Sequence, residues 1–149
     1  TKLAWDIARH VAAAERMGLR PAIRVNGTSD LPGLAQAMAR HFPDVQFYDY
    51  TKLPRAWERA MPNYHLTFSR SESNADDVEA ALAHGLNVAV VFAVKRGAPL
   101  PKVYMGRAVV DGDAHDLRFL DPRRVYGAII GLRAKGRARK DTSGFVVTL

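Results

Sequence analysis

Four short, mostly apolar segments of this chain each run directly into a polar cluster, and helical segments separate them. These strand candidates are residues 22–25, 45–48, 64–68 and 87–92. Strands joined by helical crossovers lie parallel, so their C-terminal ends meet at one edge of the sheet. Sheets and barrels of the α/β class carry their functional sites at that edge. The pattern therefore predicts where a site lies, although it does not identify a reaction.

Hydrophobic spacing and turn residues complete the predicted fold. Helices are predicted at residues 3–17, between Pro32 and Pro43, and at 54–60 and 75–84. We expect Ser29 or Asp30 to cap the second helix and Asn74 the fourth. The C-terminal part predicts a hairpin flanking Gly106-Arg107, a buried strand at 128–132 and an edge strand at 145–147. The expected fold is a single α/β domain over residues 1–149. It has a mostly parallel βαβ sheet, or a partial (β/α) barrel, with a C-terminal β-rich extension.

Composition limits the class of protein. The 149 residues contain no cysteine, which excludes disulfides, cysteine-ligated metal sites and a cysteine nucleophile within this segment. No run approaches the roughly 20 apolar residues of a membrane span, so no membrane association is expected. The absence of cysteine fits a cytoplasmic setting. No P-loop, dinucleotide-binding fingerprint or nucleophile elbow is present, so the sequence names no cofactor.

One basic segment carries most of the excess charge. The net charge is +7, and five positive residues fall within eight positions: Arg133, Lys135, Arg137, Arg139 and Lys140. In an extended conformation the odd-numbered ones would line one face and track a phosphate backbone. The alternative is a solvated, mobile loop. Because the segment follows a buried strand at the predicted site edge, we favour anion binding.

Polar residues at the first two strand ends are further candidates. Asn26 and Asp30 lie in a turn that could orient a ligand, although capped turns use the same residue types. Asp49 and Lys52 follow the second strand. A lysine beside a carboxylate can hold phosphate or take part in proton transfer. The alternative for this pair is a surface ion pair of little consequence.

The third strand end and the acidic segment 111–116 supply the remaining candidates. Arg70 can grip a phosphate bidentately, and Glu72 could act as an acid or base. The segment Asp111–Asp116 admits three interpretations: a weak metal site, a tight turn with solvated carboxylates, or pairing with the basic segment. The histidines show no metal-ligand spacing, and His65 is expected in the core. No metal site is predicted.

Several consecutive motifs resemble a known family. They are Arg24-Val25-Asn26-Gly27-Thr28-Ser29-Asp30-Leu31, Phe47-Tyr48-Asp49-Tyr50-Thr51-Lys52, Tyr64-His65-Leu66-Thr67-Phe68-Ser69-Arg70-Ser71-Glu72-Ser73-Asn74 and Gly131-Leu132-Arg133-Ala134-Lys135-Gly136. Through them the chain resembles the gene product 88 group, an uncharacterised family encoded by bacteriophages, plasmids and integrated elements. Its longer members carry an upstream segment with paired cysteines. The resemblance implies a mobile-element origin, and either the C-terminal part of such a protein or a shortened member.

Three functional hypotheses follow. The first is an anion site for nucleic acid or a phosphorylated ligand, with phosphate held by Arg70, Arg133, Lys135, Arg139 and Lys140. The second is an enzyme whose acid–base set includes Asp49, Lys52 and Glu72, in a deep pocket. The third is a protein-interaction module acting on a host factor through an apolar patch, with Trp5, Trp57 and Tyr104 as its candidates. An exposed sheet edge would favour pairing between copies of the chain, giving a homo-oligomer.

Overall fold

The computed structural model describes residues 1–149 and has the α/β fold that the sequence predicts. Three helices accompany seven strands: α1 (Lys2–Arg16), α2 (Pro32–His41), α3 (Ala75–Ala83), β1 (Ala22–Ile23), β2 (Gln46–Thr51), β3 (Tyr64–Ser69), β4 (Val88–Phe92), β5 (Val103–Tyr104), β6 (Arg107–Asp111) and β7 (Ile129–Arg133). Three short 3-10 helices occupy Ala56–Arg59, Arg118–Leu120 and Gly136–Lys140. None of the helices combines the length and apolarity that crossing a membrane requires.

The strands form a mostly parallel sheet in the order β1-β2-β3-β4-β7-β6-β5. Only the β5–β6 hairpin is antiparallel. The first four strands are neighbours in sequence order, a pattern shared by an open sheet and a half barrel. The last three extend this sheet, with β7 inserted between β4 and β6 and with β1 and β5 at the edges. The C-terminal ends of β2, β3, β4, β6 and β7 therefore lie along one edge, as the sequence predicts.

The helices cover one face of the sheet. Ile7 in α1, Met38 in α2 and Leu82 in α3 join a buried cluster with alternate residues of the central strands, such as Phe68 and Val90. Strand residues two apart point to the same face, which is why every second residue contributes to this core. Only α1 begins with a side-chain cap. The Thr1 hydroxyl caps α1 by accepting a hydrogen bond of 3.3 Å from the Ala4 amide.

The opposite face is covered by the segment between β6 and β7. Phe119 packs on Tyr48, with ring centroids 5.3 Å apart. Arg118 is 1% exposed and is the largest fully buried side chain of the protein. Its Nη2 donates hydrogen bonds to the carbonyls of Gly112 and His115. Its Nε lies 3.3 Å from a carboxylate oxygen of buried Asp121, without the alignment of a hydrogen bond. A buried ion pair thus closes this side of the sheet.

Several local features differ in part or in full from the prediction. The N-cap of α2 is Leu31, because the Ser29 hydroxyl bonds the Asn26 side chain and the Asp30 carboxylate bonds the end of β2. Asn74 occupies the N-cap position of α3, but its side chain bonds the Ser71 amide and the Ser69 carbonyl instead of the helix. The 54–60 helix is a shorter 3-10 turn. At Ser29, Asp30 and Asn74, polar contacts outside the helix satisfy the side chains that were expected to cap it.

The C-terminal segment is not the predicted edge strand. Val147 makes an isolated parallel bridge to Phe92, in the interior of the sheet. Its amide donates to the Val91 carbonyl, and its carbonyl accepts from the Ala93 amide, each at 2.8 Å. Strand β3 pairs with β4 only at the start of β4, which leaves the end of β4 unpaired on that side. The C-terminal segment fills this gap because the backbone groups of β4 need partners there.

His65 gives the fold an expected sensitivity to acid. Burial, with smaller repulsion from Arg123 and Arg118, lowers the pKa of His65 from 6.5 to about 4. As the pH falls below 6.5, His65 therefore becomes protonated in the unfolded chain while it stays neutral in the folded chain. Stability present above pH 6.5 is lost progressively towards pH 4, and the His65 share of the loss between pH 7 and 5 is about 2 kcal/mol.

Urea unfolding at pH 7, 6 and 5 checks this expectation. We expect His65→Gln to remove about 2 kcal/mol from the pH dependence, because glutamine does not titrate. His10→Gln, at an exposed position of α1, is the matched control and should unfold with the wild-type pH dependence. Equal pH slopes for wild type and His65→Gln would contradict the assignment.

Candidate functional site

Asn26 and Asp49 form a closed polar network between the ends of β1 and β2. The Asp49 carboxylate accepts hydrogen bonds from the Asn26 backbone amide (2.8 Å), the Asn26 side-chain amide (2.9 Å) and the Tyr64 hydroxyl (3.0 Å). Asp49 is 1% exposed and Asn26 is 3% exposed. Burial raises the pKa of Asp49, although the bonds from Asn26 and Tyr64 oppose this. The network holds the turn against the sheet and leaves Asp49 no open path to solvent.

Asp30 ties the same turn to the end of β2. Its carboxylate accepts hydrogen bonds from the Thr51 hydroxyl (2.9 Å) and the Lys52 backbone amide (2.8 Å). The Asn26 side-chain oxygen also accepts bonds from the Ser29 hydroxyl and the Leu31 amide. The polar groups of this predicted ligand turn are therefore occupied by bonds within the protein. A ligand-binding role for Asn26 and Asp30 stays a prediction.

Arg70, Lys52 and Glu72 surround the C-terminal segment. Arg70 Nη1 donates to the carbonyls of Gly144 (2.7 Å) and Phe145 (2.8 Å). The Lys52 ammonium lies 5.1 Å from the centre of the Phe145 ring, and Glu72 is exposed beside Gly144. These contacts anchor the segment at the end of β3. They do not bring Lys52 and Glu72 together with buried Asp49 in one pocket, so an acid–base set of these three also stays a prediction.

The ends of β6 and β7 carry a charge network. Arg133 Nη1 lies 2.9 Å from an Asp111 carboxylate oxygen and 2.8 Å from one of Asp113, while its Nε donates to the Ala98 carbonyl. The ammonium of Lys135 lies 2.9 Å from the other oxygen of Asp113. Burial works to raise the pKa of Asp113, but bonds from Lys135 and Arg133 hold it below its usual value. The acidic segment thus pairs with the basic segment, the third interpretation above.

A cavity of about 720 Å³ opens beside this network, the largest described at this edge. It is lined by Arg96, Gly97, Asp111, Asp113, Ala114, Arg133, Ala134, Lys135 and Arg139. Both carboxylates in the lining are already paired with Arg133 and Lys135. Arg96 and Arg139 have no carboxylate within 4.0 Å. The cavity therefore presents unneutralised guanidinium groups.

The basic segment is not the extended strip that its alternation predicts. Residues Gly136–Lys140 form a 3-10 helix, which turns successive side chains in different directions. Arg137, Arg139 and Lys140 are all exposed, and none forms an ion pair. Arg133 is instead 12% exposed, and its guanidinium pairs with Asp111 and Asp113. Free positive charge therefore lies on the helix and at Arg96.

The structure brings together only part of the predicted site. Arg133, Lys135 and Arg139 share one cavity, while the Asn26–Asp49 network and the Arg70 anchor are separate from it. Arg96 also lines this cavity. It belongs to the polar cluster predicted after the fourth strand candidate, but it is not among the predicted site residues. No group of three histidine, cysteine or acidic residues is placed to hold a metal ion.

The side chains proposed for an apolar patch lie apart. Trp5 is 59% exposed on α1, whereas Trp57 stacks on His84 with ring centroids 3.9 Å apart. Tyr104 packs edge-on against Phe92. Trp57 and Tyr104 are thus partly packed, and of the three side chains only Trp5 is exposed.

Comparison with protein families gives one match. The family model for gene product 88 matches residues 1–149, the whole of this sequence. The chain belongs to the gene product 88 family. No curated protein and no solved structure matches it. Membership of this phage-like family associates the chain with mobile genetic elements.

Proposed function

We propose that this member of the gene product 88 family binds a phosphate-bearing ligand at the edge formed by the ends of β4, β6 and β7. The observation that carries the proposal is the pair Arg96 and Arg139, which face a cavity of about 720 Å³ without carboxylate partners. Guanidinium groups hold phosphate bidentately, which makes unpaired arginines in a cavity a good phosphate cradle.

Nucleic acid is the favoured ligand. Basic side chains continue beyond the cavity, because Arg137 and Lys140 are exposed on the adjoining 3-10 helix and Lys95 precedes Arg96. A phosphorylated small molecule would need only the cavity, whereas a polyanion would contact both the cavity and these outer charges. The overall charge of +7 supports the same class of partner.

A salt series of fluorescence anisotropy with duplex DNA tests the proposal. We expect the triple substitution Arg96→Gln, Arg139→Gln and Lys140→Gln to weaken binding and to flatten its salt dependence. The slope of log K against log salt should fall by about 2 to 3, since each phosphate contact contributes about 0.9.

The matched control removes three charges from elsewhere. Arg16, Arg20 and Arg40 are exposed and unpaired, so their replacement with glutamine lowers the net charge equally without touching this edge. Equal losses in the two triple variants would mean that only net charge matters. Unchanged binding by the first variant would exclude the proposed edge.

A further inference from the structure

The loop from Leu120 to Gly127 exposes an unusual set of side chains at the opposite edge of the sheet. Val125 is 86% exposed, and Leu120 and Tyr126 are each 61% exposed. Arg123 and Arg124 lie between them and are also exposed. The loop precedes β7 and therefore lies at the N-terminal ends of the parallel strands, away from the cavity described above. Single exposed apolar side chains are common, whereas adjacent ones rimmed by polar residues, such as Val125 and Tyr126 beside two arginines, mark interaction sites.

The base of this loop is fixed to the fold. The buried side chain of Asn87 donates to the Pro122 carbonyl (3.1 Å) and accepts from the Ala128 amide (2.9 Å), which clamps both ends of the loop. The Gly127 amide donates to the Leu82 carbonyl at 2.9 Å. Gly127 packs so closely on the Leu86 carbonyl that a Cβ there would collide with it. A fixed base restricts the conformations open to the exposed tip, which lowers the entropy that binding would cost.

Only positive and neutral side chains line the two cavities flanking the loop. One, of about 380 Å³, is lined by Gly106, Arg107, Ala108, Arg124, Val125, Tyr126, Gly127 and Ala128. The other, of about 340 Å³, is lined by Ala60, Met61, Tyr64, His65, Leu66, His84, Gly85, Leu86, Asn87, Arg123, Arg124 and Val125. No acidic residue lines either cavity, so both suit an anion. The Arg107 guanidinium lies 5.7 Å from the Tyr126 ring centre, joining a cation to the aromatic face.

We propose that the Leu120–Gly127 loop is a second nucleic-acid contact, which binds single strands by stacking a base on Tyr126 and holding the neighbouring phosphates with Arg107, Arg123 and Arg124. An exposed aromatic ring among arginines is the combination that single-stranded nucleic acid uses, because a base stacks on the ring while the backbone follows the charges. Bases of a duplex are already stacked and cannot reach the ring. An acidic peptide would meet the arginines but would leave Tyr126 without a stacking partner.

Anisotropy with a fluorescent 15-nucleotide oligothymidine and with a duplex of the same length tests this proposal. We expect Tyr126→Ala to weaken binding of the single strand about tenfold, the loss of one stacked base, and to change duplex binding less than about twofold. Tyr126→Phe keeps the ring and should bind like the wild type. The double variant Arg123→Gln, Arg124→Gln should lower the single-strand salt slope by about 1.4, at about 0.7 per phosphate.

Three results would overturn this assignment. The first is that the wild type binds no single strand at low salt, and the second is that Tyr126→Ala and the wild type bind the single strand with equal affinity. The third is that poly-glutamate displaces the labelled single strand as effectively as unlabelled oligothymidine does. The Arg96, Arg139 and Lys140 variant is measured in parallel. If it retains single-strand binding while the Tyr126→Ala variant binds the single strand about tenfold more weakly, the loop contact stands, and the duplex salt series alone decides the cavity edge. The reverse pattern leaves only the proposed function standing.

Discussion

We expect Arg118→Met to lower the free energy of unfolding by about 3 to 5 kcal/mol, because it leaves the Asp121 carboxylate buried without its counter-charge. Arg118 and Asp121 are 1% and 5% exposed at their side chains. Burial already raises the pKa of Asp121, and Arg118 is the main group that opposes this, ahead of His115. Methionine keeps much of the arginine stem, so the loss reports on charge more than on volume. Urea denaturation at pH 7 measures it.

The chain supplies a matched control for this experiment. Arg55 and Glu58 have the same three-residue spacing as the buried pair, but their side chains are 70% and 49% exposed. Arg55→Met should therefore cost less than about 1 kcal/mol. Adding Asp121→Asn to Arg118→Met removes the stranded charge and should recover part of the loss. A loss at Arg118 no larger than that at Arg55 would show that the buried pair does not hold the Phe119 segment on the sheet.

The order of helices and strands could be predicted because it depends on local patterns. The spacing of apolar residues predicted α1, and the uninterrupted apolar run of β4 predicted a strand buried on both faces. The place of β7 between β4 and β6 could not be predicted in this way. It depends on pairing between residues far apart in sequence, such as Val88 with Ile129 and Val109 with the same Ile129.

The candidate site was predictable in position and less so in membership. The convergence of strand ends placed Arg133 and Lys135 correctly at one edge. Whether they are free to bind an anion could not be predicted from the sequence. Arg133 is not free, because it forms ion pairs with Asp111 and Asp113 at the neighbouring strand end. The alternating charges predicted an extended strip, yet residues 136–140 turn into a 3-10 helix. The loop at Arg123 and Tyr126 was overlooked, since its exposure is visible only when the chain is folded.

Asp49 offers the sharpest test between a structural and a catalytic interpretation. We expect Asp49→Ala to lower the free energy of unfolding by about 3 kcal/mol. It removes the acceptor of three buried hydrogen bonds, from both amides of Asn26 and from the Tyr64 hydroxyl. Each stranded donor costs about 1 to 3 kcal/mol, less whatever water entering the space restores. Urea denaturation gives the value, with Tyr64→Phe as a control that removes one bond and should cost about 1 kcal/mol.

Two outcomes separate the interpretations. If Asp49→Ala is destabilised as expected and binds DNA like the wild type at a temperature where it is folded, Asp49 serves the fold by holding the turn of Asn26. If it is as stable as the wild type but loses ligand binding or turnover, the carboxylate acts on a ligand after the turn has opened. The geometry favours the first outcome. An acid–base group must reach the proton that it transfers, and a carboxylate that is 1% exposed with three internal donors has no such access.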